Sequence, residues 1–156
     1  MILIPSTPKL FSEEVIILNS DPFFNRVSKE KDVFTEEEIR EEIQEGRNMG
    51  AERFVIQDGD RYVGVLELLM NNPKDGYPWL GLLQIRKSFQ GQGYGRRAMD
   101  LFYDIMKERG VKTFRLGVIA ENEPGHRFWK GQGMAPVKSV INQDGKEIIV
   151  YQKDIV

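Results

Sequence analysis

The stretch Gln90-Gly91-Gln92-Gly93-Tyr94-Gly95-Arg96 carries the plainest chemistry in this chain of 156 residues. Three glycines in five residues remove side chains, so a ligand can come close to the main chain. Amides left free at a helix start point at an anion, and the helix dipole favours negative charge there. Lys87, Arg96 and Arg97 lie beside the glycines, and Gln84 to Arg115 holds eight Lys or Arg against three Asp or Glu. A pyrophosphate is the natural guest. A turn that merely joined a strand to a helix would need one glycine or two. A dinucleotide reading competes: Gly93-Tyr94-Gly95-Arg96-Arg97-Ala98 fits G-x-G-x-x-A, and Glu121 follows the next strand as a ribose-binding acid would. Against it, only about 35 residues remain after that strand and they end in a hairpin, too few for a doubly wound sheet. A Walker loop fails, because no Gly-Lys-Ser/Thr follows the glycines.

Composition narrows the chemistry further. There is no cysteine, which excludes a disulfide scaffold, a thiolate metal site and a Cys nucleophile. His126 is the single histidine, so a multi-His metal site is not expected, and no metal site is assigned. Net charge is −2, which gives no electrostatic case for nucleic acid as the main partner. A content of 40% hydrophobic and 29% charged residues suits a soluble globular chain. No apolar run of about 20 residues occurs to span a membrane. Met1 to Leu10, with Pro5 and Pro8, lacks the pattern of a signal peptide, so a cytoplasmic protein is expected.

The elements that must hold the glycine stretch can be read from periodicity. Glu13 to Leu18 contains Val15-Ile16-Ile17-Leu18 and is expected to be a buried strand. Asn19-Ser20-Asp21-Pro22 is a turn or a helix start, with Phe23, Phe24 and Val27 on a short helix or ordered loop. Thr35-Glu36-Glu37-Glu38 is a capping box that opens a helix to about Arg47, with Phe34 and Ile39 at the staple positions. Phe54–Gln57 and Tyr62–Met70 read as strands joined by Asp58-Gly59-Asp60, and Trp79–Ile85 as a further strand. From Gly93 the period becomes helical: Ala98, Leu101, Phe102, Ile105 and Met106 share one face, ending at Arg109-Gly110. Thr113–Ala120 is a strand, Asn122 caps a second helix with Pro124 in its first turn, and two closing strands form a hairpin across Gln143-Asp144-Gly145. The result is an α/β arrangement of the α+β kind, a mixed sheet with helices.

Gln90-Gly91-Gln92-Gly93-Tyr94-Gly95 resembles the Gln/Arg-x-x-Gly-x-Gly/Ala signature of the GCN5-related N-acetyltransferase (GNAT) family. Asn122 to Met134 is similar to that family's Asn-x-x-Ala-x-x-Phe-Tyr-x-x-x-Gly-Phe segment, in the right order and one strand away. The resemblance covers about Phe54 to Gln152. It implies the acyl-CoA N-acyltransferase fold: a largely antiparallel central sheet, one splayed parallel pair and flanking helices. It implies one domain over 1–156, with 1–53 supplying an acceptor-side strand and helices and 54–156 the acetyl-CoA-binding core and C-terminal hairpin. It implies acetyl-CoA as co-substrate, held by Gln90, Gly91, Gln92, Gly93, Tyr94, Gly95 and Arg96 around the pyrophosphate. The main chain of Leu83, Gln84 and Ile85 would pair with the pantetheine arm, Ile85 N–H would polarise the thioester carbonyl, and Asn122 would be the polar contact beyond the second strand, with Phe128 and Trp129 as core or CoA-wall residues.

That implied reaction moves acetyl to a small-molecule or peptide amine, which must lose a proton. Glu67, alone among apolar neighbours in Gly64 to Leu69, is the first candidate base if it faces the cleft; the alternative is the outward residue of an alternating strand. His126 is the second; the alternative is a surface residue on a short helix. Trp129 stands where the family often has an acidic tyrosine, and its N–H has no useful acidity. The thiolate of CoA can leave without a strong acid. Glu30 to Glu45 holds eight acids and two bases, a solvated helix face or a lure for a cationic amine. Another acyl-CoA donor is the runner-up among enzymes; the rival from another class is a non-catalytic CoA-binding sensor, and the dinucleotide domain comes last. Self-association as a homodimer stays open.

Overall fold

The computed structural model describes residues 1–155. Seven strands form one sheet in the order β1-β2-β3-β4-β5-β7-β6. They are β1 (Ile2–Pro5), β2 (Glu52–Asp58), β3 (Arg61–Leu69), β4 (Trp79–Ile85), β5 (Thr113–Ile119), β6 (Ala135–Ile141) and β7 (Glu147–Asp154). Every neighbouring pair is antiparallel except β4 and β5. Five helices flank the sheet: α1 (Phe11–Asn19), α2 (Pro22–Lys29), α3 (Glu36–Asn48), α4 (Tyr94–Glu108) and α5 (Glu123–Gly131).

The strand expected over 13–18 is instead helix α1. Phe11, Glu14, Ile17 and Leu18 are all buried, because α1 lies between the sheet and α3. A helix covered on most sides shows no polar stripe, and a short apolar run cannot by itself separate it from a strand. The outer strand is Ile2–Pro5. It pairs only with β2, and an edge strand tolerates Pro5 because its open side needs no donor. The capping box at Thr35 is formed on both arms, and Asp21 caps α2.

The sheet separates two cores. On one face α1 and α3 cover Val55, Val65 and Leu82. On the other, Ala98, Met99, Phe102 and Met106 of α4 pack on Ile56, Leu66, Leu68, Leu80, Phe114 and Tyr151. Burial of these side chains is the main stabilising term, at about 1.5–3 kcal/mol for each large one.

The feature that makes a cleft is local. Glu67 pairs with Leu82 but Leu68 pairs with Leu80, so Gly81 is an extra residue in β4. Such a bulge bends its strand and sharpens the twist. Past it β4 leaves β5: their register is the single pair Trp79 and Arg115, beside a bond from Arg115 N–H to the Pro78 carbonyl (2.9 Å). The Arg86 amide donates to Val63 on β3 (2.8 Å). Strand alternation therefore turns the main-chain groups of Leu83 and Ile85 toward the gap on the β5 side, and those of Gln84 toward β3. Among the described residues no helix is long and apolar enough to cross a membrane.

Candidate active site

The glycine turn sits at the end of β4 and opens α4. Gly91 and Gly93 have φ of 76° and 85°, the left-handed region, and a Cβ built on either would meet nothing within 4 Å. Glycine is thus required by backbone conformation there, and it leaves the approach bare. Among the described residues, no main-chain carbonyl accepts from the amides of Gly91, Gln92, Gly93, Tyr94, Gly95 or Arg96, while Arg97 N–H already reaches Gly93 O (3.1 Å). A run of free amides at a helix start, with exposed Arg96 and Arg97 nearby, is an anion cradle.

Side chains around the turn hold it rather than reach outward. Gln90 Nε2 donates to Ile85 O (2.9 Å) and to the Asp21 carboxylate (3.1 Å), and Gln92 Nε2 to Ser88 O (3.1 Å). The Tyr94 ring is buried, and its hydroxyl donates to Asp58 (2.7 Å) and accepts from Arg61 (2.9 Å) on the β2–β3 hairpin. Gly95 has another reason to lack a side chain: its Cβ would stand 3.1 Å from the Phe128 ring of α5. The third glycine thus sets how closely α4 and α5 approach.

The opposite wall starts at Asn122. Its Oδ1 accepts from Gly125 N–H (3.1 Å) and caps α5. A Cβ on Gly125 would stand 2.6 Å from the Asn122 amide, the end of a side chain that would have to shift to admit it. Phe128 and Trp129 are half-buried with rings edge to face at 4.8 Å.

His126 is not at the surface. It is 8% exposed, its Nε2 lies 3.0 Å from Ala120 O and its Nδ1 2.7 Å from the Tyr151 hydroxyl. A carbonyl only accepts, so Nε2 carries the proton and Nδ1 accepts from Tyr151. Both ring nitrogens are spent on joining α5 to the end of β5 and to β7.

Glu67 points to the α1 and α3 side, beside the bulge. Its carboxylate faces Gly81 of β4 and Gly46 of α3, whose built Cβ atoms would lie 3.5 and 3.2 Å away. Its side chain keeps 18% exposure, and Arg53 Nη1 donates to it at 3.1 Å. Burial raises its pKa above the ordinary carboxylate value, and the neighbouring Arg53 opposes that rise without cancelling it. Behind it Arg53 Nε donates to Glu14 Oε1 (2.7 Å), and Ser6 Oγ donates to the other Glu14 oxygen.

Sequence reasoning passes over Gly81, Arg53 and Glu14 and reads Gly46 only as a place for the helix to end, whereas α3 runs on to Asn48. A glycine inside a helix costs about 1 kcal/mol against alanine, so Gly46 within the capped α3 pattern is a usable signal. Arg53 and Glu14 look like ordinary surface charges in sequence and give none.

Helix α2 links the end of β4 to the tip of the β6–β7 hairpin. Ser20 Oγ, just before it, accepts from Lys87 N–H (2.9 Å), and Asp21 is held by Gln90. At its other end Glu30 pairs with Lys146 (2.9 Å) and Lys29 with Asp144 (3.6 Å), both at the tip of the β6–β7 hairpin.

A parallel pair parted at a bulge, a glycine turn opening a helix at its mouth and N-terminal helices over one face together define the acyl-CoA N-acyltransferase class of fold. The chain belongs to the acetyltransferase (GNAT) family, whose profile matches residues 14–134. A curated relative, N-alpha-acetyltransferase 30 of Schizosaccharomyces pombe, is 28% identical over 89 residues, which is 54% of this chain and 58% of that protein. The match therefore spans little more than half that relative's length. An acetyltransferase from Thermus thermophilus superposes with a TM-score of 0.81 at 23% identity, covering 98% of this chain and 96% of the other. Spermidine N-acetyltransferase from Vibrio cholerae, in complex with CoA and spermine, gives 0.76 at 16% identity, covering 99% and 95%. Ard1 from Thermoplasma volcanium gives 0.73 at 17%, covering 99% and 97%. At these identities the solved structures establish the shared fold.

Proposed function

We propose that this chain moves an acetyl group from acetyl-CoA to a primary amine by direct attack in a ternary complex. One observation carries the reading: the free amides of Gly91 to Arg96 and the open edge of β4 lead to a half-buried carboxylate, Glu67, beside the bulge. The residues fit the co-substrate, since the cradle is bare where a pyrophosphate must approach and β4 has no strand partner on the β5 side beyond Trp79, although Ile85 O is held by Gln90. Acetyl-CoA supplies a thioester whose acyl carbon accepts a nucleophile without a covalent enzyme intermediate.

The chain's own residues then divide the work. The amides of residues 91–96 hold the anion, with Arg96 adding charge. Leu83 and Ile85 orient the donor through main-chain bonds, and Ile85 N–H faces the developing oxyanion. Asn122, Phe128 and Trp129 exclude water from the far side. Glu67 takes the amine proton, and its raised pKa makes it a better acceptor than an exposed glutamate. His126 is a positioning residue in this reading, because both its nitrogens are engaged. Residues 1–53 build the acceptor side and 54–156 the donor side. The names of similar proteins support an amine acceptor, spermidine in one and an α-amine in another.

Release of free CoA thiol over a panel of amines tests the reading. We expect release with at least one amine, falling by about 10²–10⁴-fold in Glu67→Gln with little change in acetyl-CoA affinity. Acetyl-CoA binding without thiol release from any amine would favour the sensor reading, which Trp129 at the tyrosine position supports. Binding of NAD(H) in place of acetyl-CoA would contradict both.

A further inference from the structure

We propose that Glu14, on the N-terminal helix, sets the basicity of Glu67 by sharing the Arg53 guanidinium with it. The proposal rests on the reading of Glu67 as the base. Three chain segments meet here: Glu14 from α1, Arg53 from β2 and Glu67 from β3. Arg53 Nε serves Glu14 and Nη1 serves Glu67, at 2.7 and 3.1 Å. The Glu14 and Arg53 side chains are 0% and 2% exposed, so water does little to screen this contact.

The contact pattern is not that of a self-contained clamp. An arginine that served only to fasten α1 would offer Nε and Nη2 to both oxygens of one carboxylate. Here Ser6 Oγ occupies the second oxygen of Glu14, and Arg53 Nη2 has no partner among the described residues. One unit of charge is divided between two carboxylates, one fully buried and one 18% exposed.

The charged groups around Glu67 can be counted by element. Arg53 faces it from β2, Glu14 stands behind Arg53 on α1, Glu42 acts from α3, and β4, with Leu82 opposite and Gly81 beside it, presents no charged group. Burial is the largest influence and raises the Glu67 pKa; Arg53 lowers it; Glu42 and Glu14 add to the rise. Were Glu14 neutral, Arg53 would give its attraction to Glu67 alone, and one repelling charge would be gone. Both changes act in the same direction, toward a more acidic Glu67 and a weaker base.

Glu14→Gln tests this with little change of shape. The amide oxygen can still accept from Arg53 Nε, and the amide nitrogen can donate to Ser6 Oγ. Titration of the Glu67 carboxyl by carbon-13 NMR, alongside the pH profile of kcat/KM, reads the effect directly. We expect the Glu67 pKa to fall by about one unit, the acidic limb of kcat/KM to move down with it, and the plateau rate to fall several-fold. Ser6→Ala should shift Glu67 the opposite way, because the freed Glu14 oxygen can take Arg53 Nη2; this second variant keeps the test alive if Glu14→Gln fails to fold. A Glu67 titration unmoved in both variants overturns the proposal even if activity falls, since a purely structural contact would lower rates without moving a pKa. The two readings fail separately: full turnover in Glu67→Gln removes the base, whereas an unmoved titration removes the tuning.

Discussion

In the proposed reaction Glu67 is the residue that takes the amine proton, and its surroundings fix how it responds to pH. A carboxyl with a raised pKa holds its proton to higher pH, so the ionised base is lost as pH falls through that raised value. The acidic limb of kcat/KM is therefore expected above the ordinary glutamate value of 4.5, and absent in Glu67→Gln, as read from initial rates across pH. An acidic limb at or below 4.5 would mean that Glu67 stays solvated or is not the base. Glu67 is legible in sequence as the one acid in an apolar strand. What is not legible is that Gly46 and Gly81 make room for it and that Arg53 holds it, because cross-sheet neighbours have no fixed spacing in sequence.

At the scale of elements, the glycine turn and α5 are readable because each has a local cause. Gly91 and Gly93 mark left-handed backbone, and Asn122 with Pro124 marks a helix start. Gly95→Ala tests the contact between α4 and α5: the new methyl would press on Phe128 at 3.1 Å, so we expect a loss of about 1–3 kcal/mol in chemical denaturation and weaker acetyl-CoA binding. His126→Ala leaves the Ala120 carbonyl and the Tyr151 hydroxyl without their partner, and about 1–3 kcal/mol of stability should be lost. An unchanged denaturation midpoint in that variant would show that the two bonds do not anchor α5. The sequence points to a strand where α1 stands, and the reason is physical. Val15-Ile16-Ile17-Leu18 favours a strand locally, and only the packing of α1 between the sheet and α3 makes it a helix.

Over the whole molecule, one sheet with a bulged, parted parallel pair places the anion cradle at the mouth of a gap and Glu67 beside its apex. The mixed sheet is foreseeable from hairpin signals at Asp58-Gly59-Asp60 and Gln143-Asp144-Gly145 around a strand–helix–strand unit. The outermost strand is not, since Ile2–Pro5 is short and carries a proline. Helix α1 is tied to the sheet through the Glu14–Arg53–Glu67 contact, in which Arg53 on β2 bridges α1 and β3. Arg53→Met would leave two carboxylates without their cation, and a destabilisation of about 3–5 kcal/mol is expected in denaturant titration. A change under about 1 kcal/mol, the scale of an exposed pair, would show that the contact is not needed for the fold.

The proposed donor site depends on bare amides at 91–96 gripping an anion. Calorimetric titration of acetyl-CoA into the wild type and into Gly93→Val, with the fold of each checked by circular dichroism, measures that grip. The wild type should bind at one saturable site while the variant, folded but with a side chain standing in the cradle, should not; equal affinity in the two proteins would contradict the account.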